Sequence, residues 1–293
     1  MNDNDFALPK HYLAERRFSI QHMRKTGATA MPRPHSHDEV ELYYLLHGER
    51  LYFVDDRIVT VRKGEMILLP PRLPHATASS QRAQFERVLI HYDPSLLPAA
   101  LAEPESARPS FRLYRFSLRE QLEIERVLRR LMEECERADK HYETLALALL
   151  TELNVLLRRA QPETQANRNG NPVHEKITEI ATFVRQRYRE GLTLEETAKR
   201  FYISSSYLSR IFHRFTGFHF REYLIHIRIR EAQKLLTETR CSVQEIAYAV
   251  GFEYLSHFNK TFKKATGLTP MQYRKAAVQP AHSSAPAYDT LRQ

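Results

Sequence analysis

The chain has only two cysteines in 293 residues, Cys135 and Cys241. Two thiols make neither a disulfide framework nor a cysteine zinc site. Both fall in helical patterns and are expected as buried thiols. Long apolar runs are missing too: none approaches the roughly 18 consecutive apolar residues of a membrane span. The segment Met1 to Lys10 is polar and acidic and holds no apolar signal-peptide core. These absences point to a cytoplasmic protein. What is present is positive charge, unevenly placed. Residues 173–293 hold 19 Lys and Arg against 11 Asp and Glu, whereas residues 1–172 hold 25 against 24. The last two-fifths therefore carries almost all the excess. That asymmetry fits a segment that binds nucleic acid or an anionic membrane, or a solvated basic surface.

The pattern changes along the chain. Residues 1–20 read as an arm. From Phe18 to Tyr92, short β-branched and aromatic runs alternate with turn signals: Glu41–Leu46, Arg50–Val54, Arg57–Val61, Met66–Leu69 and Arg87–Tyr92. Asp55-Asp56 is expected as a hairpin turn. Strands this closely spaced predict a sandwich or small barrel. Helical periodicity follows Phe116, opened by Ser117 and Glu120 as a capping box. Its stripe reads Leu118, Leu122, Leu128, Leu131 and Cys135. A second helix, Tyr142–Arg159, carries Leu145, Leu149, Leu153 and Leu156. Each helix needs a cover for its apolar face, supplied by the barrel, by the other helix, or by a second subunit. Residues 160–172 read as a linker.

The C-terminal region repeats itself at an offset of about 50 residues. Leu208, Phe212, Thr216-Gly217 and Tyr223 recur as Phe258, Phe262, Thr266-Gly267 and Tyr273. Ala198 matches Ala247, so the second unit has one extra residue in its turn. Each unit predicts a capped helix, a turn and a second helix ending at Thr-Gly. Thr193 with Glu196 caps Leu194–Arg200, Ile203 fills the turn, and Ser204 caps the next helix. Leu208, Ile211, Phe212 and Phe215 form its buried face. Ser242 caps Val243–Val250, and Gly251 permits the turn backbone. The stripe Ile225, Ile229, Ala232 and Leu236 marks a longer joining helix. The logic is that of two helix-turn-helix units. Their outward faces carry Ser206, Ser209 and Arg210 in the first, and Leu255, Ser256, Asn259 and Lys260 in the second, as base readers. Arg pairs with guanine, Asn with adenine, and Leu touches a thymine methyl. Ser204, Ser205, Arg214, Lys263 and Lys264 are placed for phosphates. A plain helical bundle with solvated faces is the alternative.

Residues 174–275 resemble the AraC-type DNA-binding domain. The motif residues are Ile246-Ala247, Gly251-Phe252, Phe258, Phe262-Lys263-Lys264, Gly267, Thr269-Pro270 and Tyr273-Arg274. The resemblance implies that the two second helices enter successive major grooves of B-DNA. Ser206, Ser209, Leu255 and Ser256 are short or apolar for base readers, so the operator does not carry over.

His35-Ser-His37, Glu41 and Gly48 resemble the first cupin motif, and Gly64, Pro70 and His75 the second. Arg72 and Ser79 replace the usual Gly and Asn. Alternation along a strand puts His35, His37 and Glu41 on one side, with His75 arriving from a neighbour. Three His and one carboxylate suit Zn, Fe, Mn or Ni. In AraC-type regulators the resemblance equally implies a ligand-sensing barrel, whose histidines hydrogen-bond an inducer. Tyr43, Tyr52, Phe53 and Arg87 at the barrel mouth suit a small polar ligand such as a sugar.

The chain is thus expected as a multidomain α and β protein. Residues 1–160 form a cupin-like ligand-sensing β-barrel with a helical pair for dimerisation. A linker covers 161–173, an all-α DNA-binding domain 174–276, and a disordered tail 277–293. The expected function is a non-enzymatic, sequence-specific transcription regulator. Its partners are double-stranded DNA, a small-molecule effector such as a carbohydrate, a second copy of itself and RNA polymerase. No cofactor is certain beyond a candidate divalent metal at His35, His37, Glu41 and His75. The alternative is a metal-dependent cupin enzyme, which leaves the repeat unexplained.

Overall fold

A computed structural model describes residues 5–27, 33–79, 84–101, 110–163 and 171–278. The chain divides into two compact units, Met1–Asn169 and Gly170–Gln293. In the first, the strands are β1 (Phe6–Ala7), β2 (His11–Leu13), β3 (Phe18–Thr26), β4 (Val40–Val54), β5 (Arg57–Arg62), β6 (Glu65–Leu69), β7 (His75–Ser79), β8 (Gln84–Tyr92) and β9 (Arg112–Arg115). Two helices follow, α1 (Leu118–Arg137) and α2 (Tyr142–Arg159).

The spine of this unit is β4. Its first half pairs with β8 and β6, and its second half with β5 and β7. Two separate strands were expected over this stretch. They are one, because the chain bends without losing its pairing. The register shifts between Leu45 and His47. Gly48 takes a φ of 86°, where an added Cβ would lie 2.2 Å from the Gln84 carbonyl oxygen. Bulges of this kind let a strand turn from one sheet into another. Asp55 and Asp56 make the β4–β5 turn with φ of 49° and 62°, the positive values a two-residue hairpin favours. The described part of the expected arm is folded, with β1 and β2 pairing along β3.

Both faces of the sheet are buried, and each serves a different core. Val88, Ile90 and Tyr92 of β8, with Leu42 and Tyr44 of β4, face α1 and α2. Tyr43, Leu45, Tyr52, Val54 and Ile67 face the barrel interior, with Leu89 packed against them. Ser117 and Glu120 form the capping box of α1. The buried stripe of α1 is Ile124, Val127, Leu128, Leu131 and Cys135. Leu118 and Leu122, expected in that stripe, are instead 80% and 71% exposed. Positions 124, 127, 128, 131 and 135 already fill one face at helical spacing. On α2, Leu145 is likewise exposed, while Ala146, Leu150 and Leu157 are buried beside Leu149 and Leu153.

The second unit holds α3 (Pro172–Gln186), α4 (Leu194–Arg200), α5 (Ser205–Thr216), α6 (Phe220–Glu238), α7 (Val243–Ala249), α8 (Leu255–Thr266) and α9 (Pro270–Val278). Asn171 caps α3 with Pro172 in its first turn, so helix begins inside the expected linker. Residues 164–170 of that linker lie outside the described residues. So do residues 279–293 of the expected tail, whose first two residues belong to α9. Cys241, expected buried, is exposed in the turn before α7, while Cys135 is buried. No helix among the described residues is long and apolar enough to cross a membrane.

The repeat is visible in backbone detail. Thr193 with Glu196 and Ser242 with Glu245 form matching capping boxes on α4 and α7. Ala198 and Ala247 are both buried. The amides of Ile203 and Phe252 donate to the carbonyls of Ala198 and Ala247, each at 3.0 Å. The extra residue of the second unit therefore falls after this shared turn, just before α8. Gly217 and Gly267 end α5 and α8 in the left-handed conformation.

Candidate functional site

Inside the barrel, His35, His37, Glu41 and His75 offer ligand atoms that all lie within 4.8 Å of one another. Only Glu41 and His75 lie on strands. His35 and His37 precede β4, correcting the expectation that they share its strand. His35 is held instead by a two-way backbone bridge to His75. A fifth residue, His91, faces Glu41 across the β4–β8 register. One oxygen, Glu41 Oε2, lies 3.2 Å from His37 Nε2, 3.4 Å from His75 Nε2 and 3.2 Å from His91 Nε2. The Tyr52 hydroxyl donates to the other, Oε1, at 3.1 Å. Burial pushes the Glu41 carboxyl upward, but the imidazoles of His37, His75 and His91 outweigh it and hold it well below the usual range. Burial lowers His37, yet its bond to Glu41 raises it overall. His35, lowered by burial and by His75, sits at about 4.

The tautomers test whether a cation fits. His75 Nδ1 lies 2.9 Å from the Leu73 carbonyl, and His37 Nδ1 lies 2.9 Å from that of Glu39. A carbonyl only accepts, so each Nδ1 carries a hydrogen. A neutral ring then aims a bare Nε2 lone pair at an anionic oxygen. Protons on the rings relieve this repulsion, and so does one shared metal cation. Carbonyl-bound Nδ1–H with a free Nε2 is the orientation found in metal-ligating histidines. The residues therefore fit a divalent metal.

Other polar groups line the same interior. Tyr43 and Tyr52 pack edge to face with centroids 5.3 Å apart. Burial pushes the Tyr43 hydroxyl up to about 12, with Arg50 and Arg87 opposing. Arg87 lies over the Tyr43 ring at 5.6 Å. Phe53 is buried but neighbours Tyr52 in the strand and so points to the opposite face. Sequence reasoning missed His91 and Arg50. The signal for His91 was parity, since Arg87, Leu89 and His91 alternate on one face of β8.

In the second unit, the two second helices each bury one face and expose the other. Leu208, Ile211 and Phe212 of α5 are buried, with Phe215 half-buried, as are Phe258 and Phe262 of α8. On the outer side of α5, Ser206, Arg210 and Arg214 are exposed, and Ser205 and Ser209 are half-buried. The exposed Ser204 hydroxyl accepts from the Tyr207 amide at 3.2 Å as the helix cap. Ser256, Asn259, Lys260, Lys263 and Lys264 are exposed along α8, and Leu255 is half-buried at its start.

Comparison with known proteins agrees with this two-part layout. Residues 26–153 match the family described as AraC-like ligand binding domain. Residues 197–276 match the family described as Helix-turn-helix domain. The chain is 23% identical to the melibiose operon regulatory protein of Escherichia coli (strain K12), over 85% of each chain. It is 26% identical to the HTH-type transcriptional activator RhaR of Enterobacter sp. (strain 638), covering 82% of this chain and 86% of that one. A shorter match, 38% identical over 33% of this chain and 34% of the other, is to the HTH-type transcriptional regulator YijO of Escherichia coli (strain K12).

Proposed function

The chain belongs to the AraC-type transcription regulators, and from that membership we propose that its barrel senses a sugar while α5 and α8 read an operator. One observation carries the DNA-reading assignment. Two capped helix-turn-helix units each leave a polar, basic face of their second helix exposed, while the apolar face is buried. Ser206, Ser209, Arg210, Leu255, Ser256, Asn259 and Lys260 are the base readers. Ser204, Ser205, Arg214, Lys263 and Lys264 hold phosphates. The similarity to a melibiose operon regulator supports the sugar. Matches to ligand-binding and helix-turn-helix families do not favour a cupin enzyme. A cytoplasmic location follows from this reading.

Selection of bound sequences from a random DNA pool at physiological salt tests this. Two half-motifs about one helical turn apart are expected. Salt-sensitive binding without enrichment, with and without melibiose and other sugars, would reject it. Transcription in vitro from the selected operator tests RNA polymerase as a partner. Unchanged transcript yield would count against it. A homodimer through α1 is the assembly we infer, because Leu118 and Leu122 leave an apolar strip uncovered. Leu122→Asp should then sediment as a monomer.

A divalent metal at His35, His37, Glu41 and His75 is a second element of the reading, supported by the convergent Nε2 atoms. When bound, it supplies a Lewis-acid centre for ligand oxygens. His37 and His75 are oriented by backbone carbonyls, and Tyr52 holds Glu41. Metal analysis of protein purified without a histidine tag checks this. Under about a tenth of an equivalent after supplementation would remove the metal, since a site with these ligands binds tightly.

A further inference from the structure

The barrel interior is polar at two levels, and the metal reading uses only one of them. Glu41, His75 and His91 form one level. Four residues along β8 from His91 stands Arg87. Four residues along β7 from His75 stands Ser79, opposite Arg50 of β4. Four strand residues span about 13 Å between Cα atoms, which long arginine side chains shorten. Tyr43, Tyr52 and Thr77 lie between the levels.

The second level is cationic. Arg50 is buried, donates to the Thr77 and Ser79 hydroxyls at 3.0 and 3.2 Å, and lies 4.4 Å from the Phe85 ring centroid. Arg87 donates to Gln21 Oε1 at 3.2 Å and lies 3.8 Å from Met23 Sδ, both neutral groups. Its Nη1 is buried without a hydrogen-bond partner among the described residues, as is the Tyr43 hydroxyl. A buried guanidinium with an unused N–H is costly unless something completes it. Solvent also reaches this interior. On β8, Val88, Ile90 and Tyr92, which face the helices, are buried, while Arg87, Leu89 and His91, which face inward, are half-buried.

We propose that Arg50 and Arg87, with the hydroxyl of Tyr43, form a carboxylate-binding subsite in the barrel, so that the effector is an acidic sugar of the uronic or aldonic class. This rests on the reading of the barrel as a sugar pocket. Paired guanidiniums are the donors best matched to a carboxylate. The acid group lies at the arginine level, and the hydroxyls extend toward Tyr52 and the histidine level.

The test is calorimetric titration of the full-length protein with D-glucuronate, D-galacturonate, D-gluconate and D-galactonate. The matched neutral sugars and the non-sugar acids lactate and malate serve as controls, all at equal ionic strength. At least one sugar acid should bind, with its neutral counterpart at least 10-fold weaker. Arg87→Gln should weaken that acid on the order of 10- to 100-fold, the loss expected of a charged hydrogen bond. Arg87 is only half-buried, so this variant is the one expected to fold, as its melting curve without ligand reports. Glu86→Gln, on the opposite face of the same strand, should leave the affinity unchanged. Equal binding of neutral and acidic sugars, or no binding by any acid, overturns the subsite, as does an Arg87→Gln protein that folds and keeps its affinity. Lactate or malate binding lost in Arg87→Gln, with no sugar of either kind bound, keeps the subsite and removes the sugar.

Discussion

Replacing Gly251 with alanine, and Tyr202 with glycine, probes the two helix-turn-helix turns from opposite sides. The residues are equivalent: the amides of Tyr202 and Gly251 donate to the carbonyls of Lys199 and Tyr248. Both are left-handed, with φ of 56° at Tyr202 and 91° at Gly251. Only the second is crowded. A Cβ on Gly251 would lie 2.8 Å from the Arg189 carbonyl oxygen and 3.0 Å from its Cα, which are backbone atoms that cannot swing aside. Left-handed strain costs roughly 1–2 kcal/mol for a residue with a Cβ, and overpacking adds about 1–3 kcal/mol. Gly251→Ala should therefore destabilise its turn by about 2–5 kcal/mol. At Tyr202 the side chain is 96% exposed, so its removal forfeits no packing. Relief of the same strain is partly offset by the entropy of a glycine, about 0.5–1 kcal/mol, for a net gain of up to about 1 kcal/mol. Hydrogen–deuterium exchange resolves α4–α5 from α7–α8, which a global melt of a two-unit chain does not. Amides of α7 and α8 should exchange about 30-fold faster or more in Gly251→Ala, at 1.4 kcal/mol per tenfold. Protection within ~0.5 kcal/mol of the parent, the range of neutral surface changes, would refute the argument.

Three further outcomes follow from particular contacts. Burial, with Arg230 second, holds His226 at about 4. The unfolded chain takes up that proton near 6.5, so stability should fall as pH drops from 6.5 toward 4 and stay level above. The loss should be about 2 kcal/mol at pH 4.5, and thermal melts of His226→Gln should show a weaker acid dependence. Tyr44 donates its buried hydroxyl to Glu125 Oε1 at 2.8 Å, tying the sheet to α1. Glu125→Ala should cost about 1–3 kcal/mol, and less in a Tyr44→Phe background; equal costs in a double-mutant cycle would deny the coupling. On the selected operator, Arg210→Ala should lose roughly 1–3 kcal/mol and broaden base preference, while Lys263→Ala should weaken all sequences alike and lower the salt slope by about 1. The reverse pattern in a gel-shift series would exchange their roles.

The helix-turn-helix region was legible in the sequence because its code is local. Thr193, Ser204 and Ser242 cap helices through amides three residues away, Gly251 answers a turn, and Phe258 and Phe262 sit one helical turn apart. Such features act within a few residues, so linear spacing determines them. A sandwich or small barrel was legible too, from strand-length runs and the Asp55-Asp56 turn, and the cupin resemblance narrowed it to a barrel. What the line of residues did not decide was convergence. His91 meets Glu41 from fifty positions away, and Arg50 enters the interior only because β4 bends at Gly48 and changes sheets. Leu118 and Leu122 turn outward because, at about 100° per residue, they fall well round the helix from Leu128, Leu131 and Cys135, so the expected stripe joined two different faces. Sequence fixes which side chains share a face of one element; only the packing of distant strands against each other fixes which face is inside, and therefore which charges meet.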